Sequence, residues 1–411
     1  MGKVLGIVGE YNPFHNGHLY HLEQSKKMTS SNYTVAIMGG NFTQRGSTSL
    51  IDKWSKAEAA IQNGIDLVIE LPVLYTTSSA ENFADGAIKI LDSLKVVDYV
   101  SFGAETSDVD ILNKFADVLY NEPRKYKILL SHELNKGLSY PKARENALMI
   151  YLNDIRKCIN VISAPNNILG IEYLKALKKH KSNIMPISIA RYESAYNDSS
   201  YSGNIASATA IRNIIKNNGF DILRRLLPPS SYSILIRNIK QGHIIPDISV
   251  FEKQIIYNLR LMETSEIAML PDVTEGLEFA IKKAANSCNN LTDLLNNIKS
   301  KRYTSTRIQR ILLYALLGIT KKDIDISKKT TPYIRVLGLN HRGKFLISEI
   351  AKANPKLEII TSVKRFLDNN PNKNLKLMLD KDIFATNVYT IGYEIDSCSN
   401  LDFTKKIVSI D

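Results

Sequence analysis

The sequence predicts an α/β protein: an N-terminal parallel sheet, then a mainly helical region, then a small mixed α/β unit at the C-terminal end. Three observations predict this. As far as about residue 220, apolar runs of strand length alternate with helical segments, which is typical of a parallel sheet covered by helices. Helical segments then follow one another, and from Tyr333 to Asp411 the pattern is mixed again. The length suggests two domains, 1–220 and 221–411.

Each element of the first half has local support. Runs rich in Val and Ile predict the strands, and several end at glycine or proline. Their ranges are Val4–Val8, Tyr33–Met38, Asp66–Leu71, Val97–Phe102 and Ile184–Ala190. The predicted helices are Gly17–Lys27, Asp52–Asn63, Ala80–Leu91, a polar helical section over 108–157, Asn166–Lys179, and a helix capped by Ser207 or Thr209. Hydroxyl side chains are suited to that cap because they accept hydrogen bonds from the first backbone N–H groups.

The second half is predicted from helical periodicity and two later β-branched runs. Its helices are Leu223–Lys240, Ser249–Met262, Leu277–Asn286, Leu291–Ile298 and Ser305–Leu317. Ile334–Leu337 and Val388–Ile391 are predicted strands. A phosphate-loop-like spacing at Gly338–Phe345 has Phe345 in place of the magnesium-binding Ser or Thr, so a strand-to-helix turn explains it.

The turn after the first strand, Gly9–His18, is the most informative stretch. It contains two histidines separated by Asn-Gly, where a helix is predicted to begin. Backbone N–H groups at a helix N-terminus and imidazole donors suit a nucleotide phosphate. A buried turn whose histidines bind only backbone is the plain alternative. A metal pair ranks lower because no Cys, Asp or Glu follows at ligand spacing.

Further candidate residues follow other strands of the predicted sheet. Gly9, Gly39, Gly103 and Arg191 each end a predicted strand. Since the carboxyl ends of parallel strands share one edge, where open α/β sheets bind ligands, these residues are expected near the turn. Arg45, in the loop after the second strand, is equally well explained as a phosphate or RNA contact and as a solvated arginine.

The charge of the chain favours a polyanionic partner. The 411 residues carry 53 Lys and Arg against 41 Asp and Glu, a net charge of +12. Between Lys299 and Lys322 the cations Lys301, Arg302, Arg307 and Arg310 occur without an acidic residue. Tyr303 and Tyr314 lie among them, so an RNA-contacting surface is favoured over a merely solvated face.

Cysteine usage and hydropathy exclude other classes. Cys158, Cys288 and Cys398 are far apart and lack Cys-x-x-Cys spacing, which supports neither a disulfide framework nor a zinc site. No apolar run reaches the ~20 residues needed to span a bilayer, and no signal-peptide pattern is seen. We expect a cytoplasmic protein with no membrane association and no protein-bound metal site.

The chain resembles the bacterial tRNA(Met) cytidine acetate ligases of the HxGH nucleotidylyltransferase superfamily, whose N-terminal domain is Rossmann-like. The resemblance rests on an ordered series of stretches: Ile7–Tyr20, Gly40–Gly46, Ile51–Trp54, Ser101–Glu105, Pro165–Tyr173, Ser207–Arg212, Lys301–Thr304 and Val336–Asn340. One position departs from the pattern. Tyr196-Asn197-Asp198 stands where many relatives have Tyr-His-Asp, and Asn cannot titrate, which leaves only hydrogen bonding to Asn197.

The resemblance implies an activity with its substrates. Acetate would attack the α-phosphate of ATP, and acetyl-adenylate would pass its acetyl group to the wobble cytidine of elongator tRNA(Met). Mg²⁺ is expected with ATP. His15 and His18 would be catalytic. The implied ATP site comprises Ile7, Val8, Gly9, Glu10, Tyr11, Asn12, Pro13, Phe14, His15, Asn16, Gly17, His18, Leu19, Tyr20, Gly103, Asn166 and Arg191, with Arg212 on the β- and γ-phosphates.

Two other functions stay open at this point. One is adenylyl transfer to a small metabolite, against which the basic helical half argues. The other is a non-catalytic RNA-binding protein with a relic nucleotide fold, against which the presence of both His15 and His18 argues.

Overall fold

The computed structural model describes residues 1–153, 161–162, 164–191, 204–217, 219–274, 276–300, 303–395 and 398–411. Its strands are β1 Val4–Gly9, β2 Tyr33–Gly39, β3 Leu67–Leu71, β4 Tyr99–Ala104, β5 Met185–Ala190, β6 Ile334–Leu339, β7 Ile359–Ile360 and β8 Val408–Ser409. They form one sheet in the order β5-β4-β1-β2-β3-β6-β7, with β8 beside β6. Strands β1 to β5 are parallel, as predicted for a sheet with helical crossovers.

The N-terminal helices are α1 Asn16–Thr29, α2 Lys53–Gln62, α3 Val73–Thr76, α4 Ala80–Ser93, α5 Val109–Asn121, α6 Arg124–Asn135, α7 Tyr140–Leu152 and α8 Pro165–His180. The next are α9 Ala208–Lys216, α10 Phe220–Leu226, α11 Pro229–Lys240, α12 Glu252–Leu261, α13 Thr264–Ala268, α14 Leu277–Ser287, α15 Leu291–Ile298, α16 Ser305–Leu317 and α17 Lys321–Lys329. The last are α18 His341–Ala353, α19 Val363–Asn369, α20 Lys373–Thr390 and α21 Leu401–Thr404, and a 3₁₀ turn covers Ile248–Phe251.

Two predicted elements need correction. Val388–Ile391 is not a strand, because α20 runs through it to Thr390 and buries Val388 and Tyr389 with earlier turns of the same helix. The predicted helix Leu223–Lys240 is two helices, since Pro228 and Pro229 cannot continue α10. The polar helical section predicted over 108–157 contains α5, α6 and α7 in its described part.

The C-terminal segment completes the N-terminal sheet. Strand β6 pairs antiparallel with β3, so residues on both sides of the predicted boundary at 220 share one sheet. Helix α18 then begins as the predicted strand-to-helix turn, with the Asn340 side chain accepting from Gly343 N at 2.9 Å. Gly343 is required there, since a Cβ would lie 2.0 Å from the Asp66 carbonyl oxygen.

A buried ionic cluster fastens this junction. Lys53 Nζ lies 2.9 Å from Glu70 Oε1 and 2.8 Å from Asp402 Oδ1. Arg335 Nη1 lies 3.1 Å from Glu70 Oε2, and Arg335 also pairs with Asp402. All four side chains are at most 5% exposed. Two cations and two carboxylates balance, so these four side chains bring no net charge into the interior.

Helices α9 to α11 pack over the sheet near β1. Ile211, Leu223 and Leu235 belong to one apolar cluster with Leu5 and Phe14. Within the described parts of the chain, no helix is long and apolar enough to cross a membrane.

Candidate active site

The turn between β1 and α1 is held by buried side-chain contacts. Tyr11 takes a left-handed backbone conformation, with φ of +46°. Asn12 is 4% exposed, and its amide group bonds the neighbouring loop: Leu50 N donates to Oδ1 at 2.7 Å, and Nδ2 donates to the Thr48 carbonyl at 3.3 Å. The ring of Phe14 packs against Tyr11 with centroids 4.9 Å apart. These contacts fix the direction in which the chain enters α1.

The two histidines cap α1 reciprocally. His15 is the N-cap residue, and its Nδ1 accepts from Gly17 N at 3.1 Å. His18 Nδ1 accepts from His15 N at 3.2 Å. An Nδ1 atom that accepts a hydrogen bond carries no proton, so each neutral ring has its proton on Nε2. The rings stack with centroids 3.8 Å apart. The cap therefore presents two Nε2–H donors side by side.

Both imidazoles are neutral at physiological pH. Burial, followed by the nearby guanidinium groups of Arg191 and Arg212, lowers the pKa of His15 to about 3. Burial, then His15 and Arg191, holds the pKa of His18 well below its ordinary value. A neutral pair donates hydrogen bonds without having to lose a proton, which suits stabilisation of negative charge on phosphoryl oxygens.

The Asn16-Gly17 step between the histidines has its own packing. A Cβ on Gly17 would lie 2.9 Å from His15 Cε1, so glycine allows the imidazole to fold over the helix start. Asn16 Nδ2 donates to the carbonyl oxygens of Asn204 at 2.8 Å and Arg225 at 2.7 Å. The turn is thereby tied to the segments before α9 and within α10.

The predicted residues of β4, β5 and α8 gather at the same edge. A Cβ on Gly103 would contact Arg191 Cγ at 3.6 Å, and Arg191 N donates to the Ala104 carbonyl at 3.1 Å. Asn166 Nδ2 donates to Glu105 Oε1 at 2.6 Å, while Glu105 Oε2 accepts from Asn167 N at 3.0 Å. The Asn166 amide and the α8 N-terminus are thus occupied by a carboxylate, which also attracts Arg191.

Arg212 reaches the histidine turn from α9. Its Nη1 donates to the Asn12 carbonyl at 3.2 Å and its Nη2 to Thr209 Oγ1 at 3.1 Å. The predicted cap is confirmed, because Ser207 Oγ accepts from Ala210 N at 3.1 Å. The carboxylate of Glu10 and the exposed Arg45 lie close enough to act electrostatically on Arg212.

Other members of the predicted set form the frame of the turn. Ile7, Val8 and Gly9 belong to β1, and Leu19 and Tyr20 to the first turns of α1. Glu10 Oε1 accepts from Gln44 N at 2.7 Å, which joins the turn to the loop after β2.

Sequence reasoning missed Lys56, which holds the carboxyl ends of β1 and β2 together. Its side chain is buried, and Nζ donates to the carbonyls of Glu10 at 3.1 Å, Gly39 at 2.7 Å and Gly40 at 2.6 Å. It also donates to Ser49 Oγ at 2.9 Å. Burial lowers the pKa of Lys56 to about 8. A lysine four residues after an Asp cap, one turn into the helix that follows β2, was the available signal.

A third histidine, also missed, lies one turn further along α1. His21 Nε2 is 2.9 Å from Ser101 Oγ, and Ser101 Oγ is 2.7 Å from Ser25 Oγ. Ser25 Oγ donates to the His21 carbonyl at 2.6 Å. Each hydroxyl has one proton, so Ser101 donates to Ser25 and His21 Nε2 donates to Ser101. This chain of hydrogen bonds joins α1 to β4.

The predicted RNA-contacting face of α16 needs correction. Arg310 is 8% exposed, and its Nε and Nη2 donate to Asp272 Oδ2 at 2.9 and 2.8 Å. Arg307 donates to the Asp272 carbonyl, with Nη2 at 2.6 Å, and Tyr314 is buried. These groups hold the helical region together instead of forming an open basic face. Lys301, Arg302 and Asn197 lie outside the described residues.

Over the ranges that the structure describes, no group of three or more His, Cys, Asp or Glu side chains is arranged to hold a metal ion.

Comparison with known proteins identifies the family of this chain. Residues 2–402 match the model of the HIGH nucleotidyl transferase family. A tRNA(Met) cytidine acetate ligase of Caldanaerobacter subterraneus subsp. tengcongensis is 46% identical over 99% of this chain and 100% of its own. The enzyme of the same name from Acetivibrio thermocellus is 41% identical over 99% of both chains.

Solved structures show the same fold. The apo crystal structure of Thermotoga maritima TmcAL superposes with a TM-score of 0.94 at 35% identity, covering 99% of both chains. The structure of TmcAL bound with alpha-thio ATP has a TM-score of 0.92 at 34% identity, also over 99% of both chains. With a histidine-capped helix at the end of its first strand and full-length relatives, this chain belongs to the HIGH nucleotidyl transferases and, among them, to the tRNA(Met) cytidine acetate ligase family.

Proposed function

We propose that the protein is an ATP-dependent ligase that acetylates the N4 amine of the wobble cytidine of elongator tRNA(Met), forming N4-acetylcytidine. The observation that carries the chemistry is the pair of neutral imidazoles whose Nε2–H groups lie side by side at the end of β1. The names of the full-length relatives supply the acceptor.

In the first step, an acetate oxygen attacks the α-phosphorus of ATP, and the bond to the β-phosphate oxygen breaks. Acetyl-adenylate and pyrophosphate form, and no proton needs to move. His15 and His18 donate their Nε2–H groups to α-phosphoryl oxygens as charge builds up there. Gly103, Asn166 and Arg191 bind ATP along the strand ends, and Arg212 binds the β- and γ-phosphates.

In the second step, the cytidine N4 amine attacks the acetyl carbonyl carbon. The carbon–oxygen bond to the phosphate breaks, AMP leaves, and the amine nitrogen loses one proton. His15 and His18, still donating to the phosphate, stabilise the AMP leaving group.

Mg²⁺ belongs to the proposal as an ion brought by the ATP phosphates. Mg²⁺ often binds substrate phosphates and water with only one or two protein carboxylates, and Glu10 is the carboxylate of the histidine turn. The cytoplasmic location and the division of the chain at residue 220 are likewise proposed.

The activity is tested with purified protein, ATP, labelled acetate and unmodified elongator tRNA(Met), each omitted in turn. Label is expected in the tRNA only when all three are present, and pyrophosphate exchange into ATP is expected to depend on acetate. Exchange without acetate, with AMP transferred to a metabolite, would instead establish a metabolite adenylyltransferase. ATP binding without any exchange would favour a non-catalytic RNA-binding protein.

Two substitutions at His18 distinguish its role as an Nε2–H donor from its role in capping α1. In His18→Asn the amide oxygen can still accept from His15 N, but nothing donates at the Nε2 position. In His18→Gln the amide nitrogen reaches the Nε2 position and the cap is lost. We expect His18→Asn to lose about 10²–10³-fold in acetate-dependent exchange, the usual effect of removing one such donor, and His18→Gln to lose less. The reverse order would show that His18 acts through the cap.

A further inference from the structure

A basic surface lies beside the histidine turn, in the stretch from residue 204 to 240. Six cations stand there against a single acidic residue, Asp221; the cations are Arg212, Lys216, Arg224, Arg225, Arg237 and Lys240. This is a stronger imbalance than that of α16 and α17, where two aspartates accompany the cations.

Several of these cations have partners inside the protein. Arg212 bonds Asn12 and Thr209, Lys216 pairs with Asp247, and Arg237 pairs with Glu58. Arg224 and Arg225 on α10 are different: both are exposed, and neither forms an ion pair with any residue in the described ranges. Two adjacent exposed guanidinium groups without a carboxylate present their charge to an external anion.

The position of α10 places this pair next to the reaction. The Arg225 carbonyl accepts from Asn16 Nδ2 at 2.7 Å, and Asn16 stands between the two histidines. The guanidinium of Arg224 lies over the ring of Tyr232, 5.4 Å from its centroid, and Tyr232 is only partly buried. A partly exposed aromatic ring beside guanidinium groups is a combination on which unpaired bases stack.

We propose that Arg224, Arg225 and Tyr232 form the docking surface for the single-stranded RNA that flanks the acceptor base. The two arginines bind backbone phosphates on either side of that base, and Tyr232 with the Arg224 guanidinium stacks on a neighbouring base. This inference rests on the proposed function, because it takes the acceptor to be an RNA loop delivered to the histidine turn.

The test measures affinity for unmodified elongator tRNA(Met) over a range of salt concentrations, with the full-length protein. Arg224→Glu/Arg225→Glu is expected to bind at least 10-fold more weakly and to show a smaller slope of log affinity against log salt, by about 0.7 for each lost single-strand phosphate contact. Tyr232→Ala is expected to weaken binding about 5- to 100-fold, the range of base stacking, and Tyr232→Phe to restore it.

Arg365→Glu serves as the matched control, since Arg365 is exposed on α19, which follows β7 at the opposite end of the sheet. It makes the charge change of one of the two α10 substitutions and is expected to leave both affinity and slope near those of the unmodified protein. Acetate-dependent pyrophosphate exchange reports folding and adenylation separately in every variant.

The outcomes are distinguishable. If the wild-type protein shows no acetate-dependent exchange, the proposed function fails. If exchange and acetyl transfer occur but the α10 double variant keeps the wild-type affinity and salt slope, or changes no more than Arg365→Glu, the docking surface is wrong. A double variant that loses exchange as well would show that α10 supports the ATP site and would also overturn the assignment.

Discussion

Replacing Lys56 by Met removes the buried ammonium that joins β1 to β2 while keeping a side chain of similar size. The Glu10 and Gly39 carbonyls lose this donor, whereas the Gly40 carbonyl keeps Ser49 Oγ at 3.0 Å. A buried acceptor left without its partner costs about 1–3 kcal/mol. Two fully buried groups would cost roughly 2–6 kcal/mol; the Glu10 carbonyl is only part-buried and a charge no longer has to be buried, so the expected cost lies in the lower half of that range. We expect Lys56→Met to lower the free energy of unfolding by about 3 kcal/mol.

Urea unfolding followed by the fluorescence of Trp54 measures this loss, since Trp54 is the single tryptophan of the chain and lies buried in the same helix as Lys56. Lys27→Met is the control, because Lys27 is exposed in the last turn of α1. Acetate-dependent pyrophosphate exchange is expected to fall in Lys56→Met and not in Lys27→Met. A Lys56→Met protein within about 0.5 kcal/mol of wild type, the usual range for surface changes, and with full exchange activity would refute the reasoning.

Three further predictions concern charge. Arg310→Gln is expected to lower the free energy of unfolding by about 1.5–3 kcal/mol, the contribution of hydrogen bonds to a charged group, because the contact with Asp272 is lost. The salt dependence of tRNA binding is expected to stay unchanged. A changed salt dependence would show that Arg310 contacts RNA. Because the lowered pKa values keep His15 and His18 neutral, the exchange rate should show no histidine titration near pH 6.5. The free energy of unfolding should fall below that pH, because the histidines of the unfolded chain take up protons. A titration of the exchange rate near pH 6.5 that His18→Gln abolishes would contradict this. Burial and then Glu70 raise the pKa of Asp382 to about 7, so the folded protein holds a proton on Asp382 between about pH 4 and 7. In chemical denaturation, the stability of wild type relative to Asp382→Asn should therefore fall as the pH rises through that window. A difference that stays constant with pH would show that Asp382 is ionised.

The sequence predicted features that neighbouring residues determine better than features that depend on contacts between distant segments. The β1–α1 turn is built from neighbouring residues, so the strand, the helix start and the two histidines could be predicted together, whereas the reciprocal histidine cap was not predicted. The antiparallel pairing of β6 with β3 was not, because a β-branched run indicates a strand and not its partner. Arg310 was misjudged for a similar reason: helical spacing gives the face that it shares with Arg307, while Asp272, which buries it, lies in a separate segment.

The remaining misses reflect packing that overrides local preference. Val388 and Tyr389 favour a strand by residue type, yet burial along α20 keeps them helical. Lys56 looks like a solvated lysine until the carbonyls of two strand ends are seen around it. In each case the deciding contacts come from elements far away in sequence.

The pairing of β6 with β3 also means that the sheet can be completed only late in synthesis of the chain. Strand β3 is wholly buried, with the sequence Leu-Val-Ile-Glu-Leu, and until residues 334–339 have left the ribosome its outer edge has no strand beside it. An apolar edge strand is a template for pairing with other chains. During synthesis the nascent N-terminal part therefore lacks the strand that covers β3 until residues 334–339 are made, and a fragment ending at residue 220 would keep this edge unpaired.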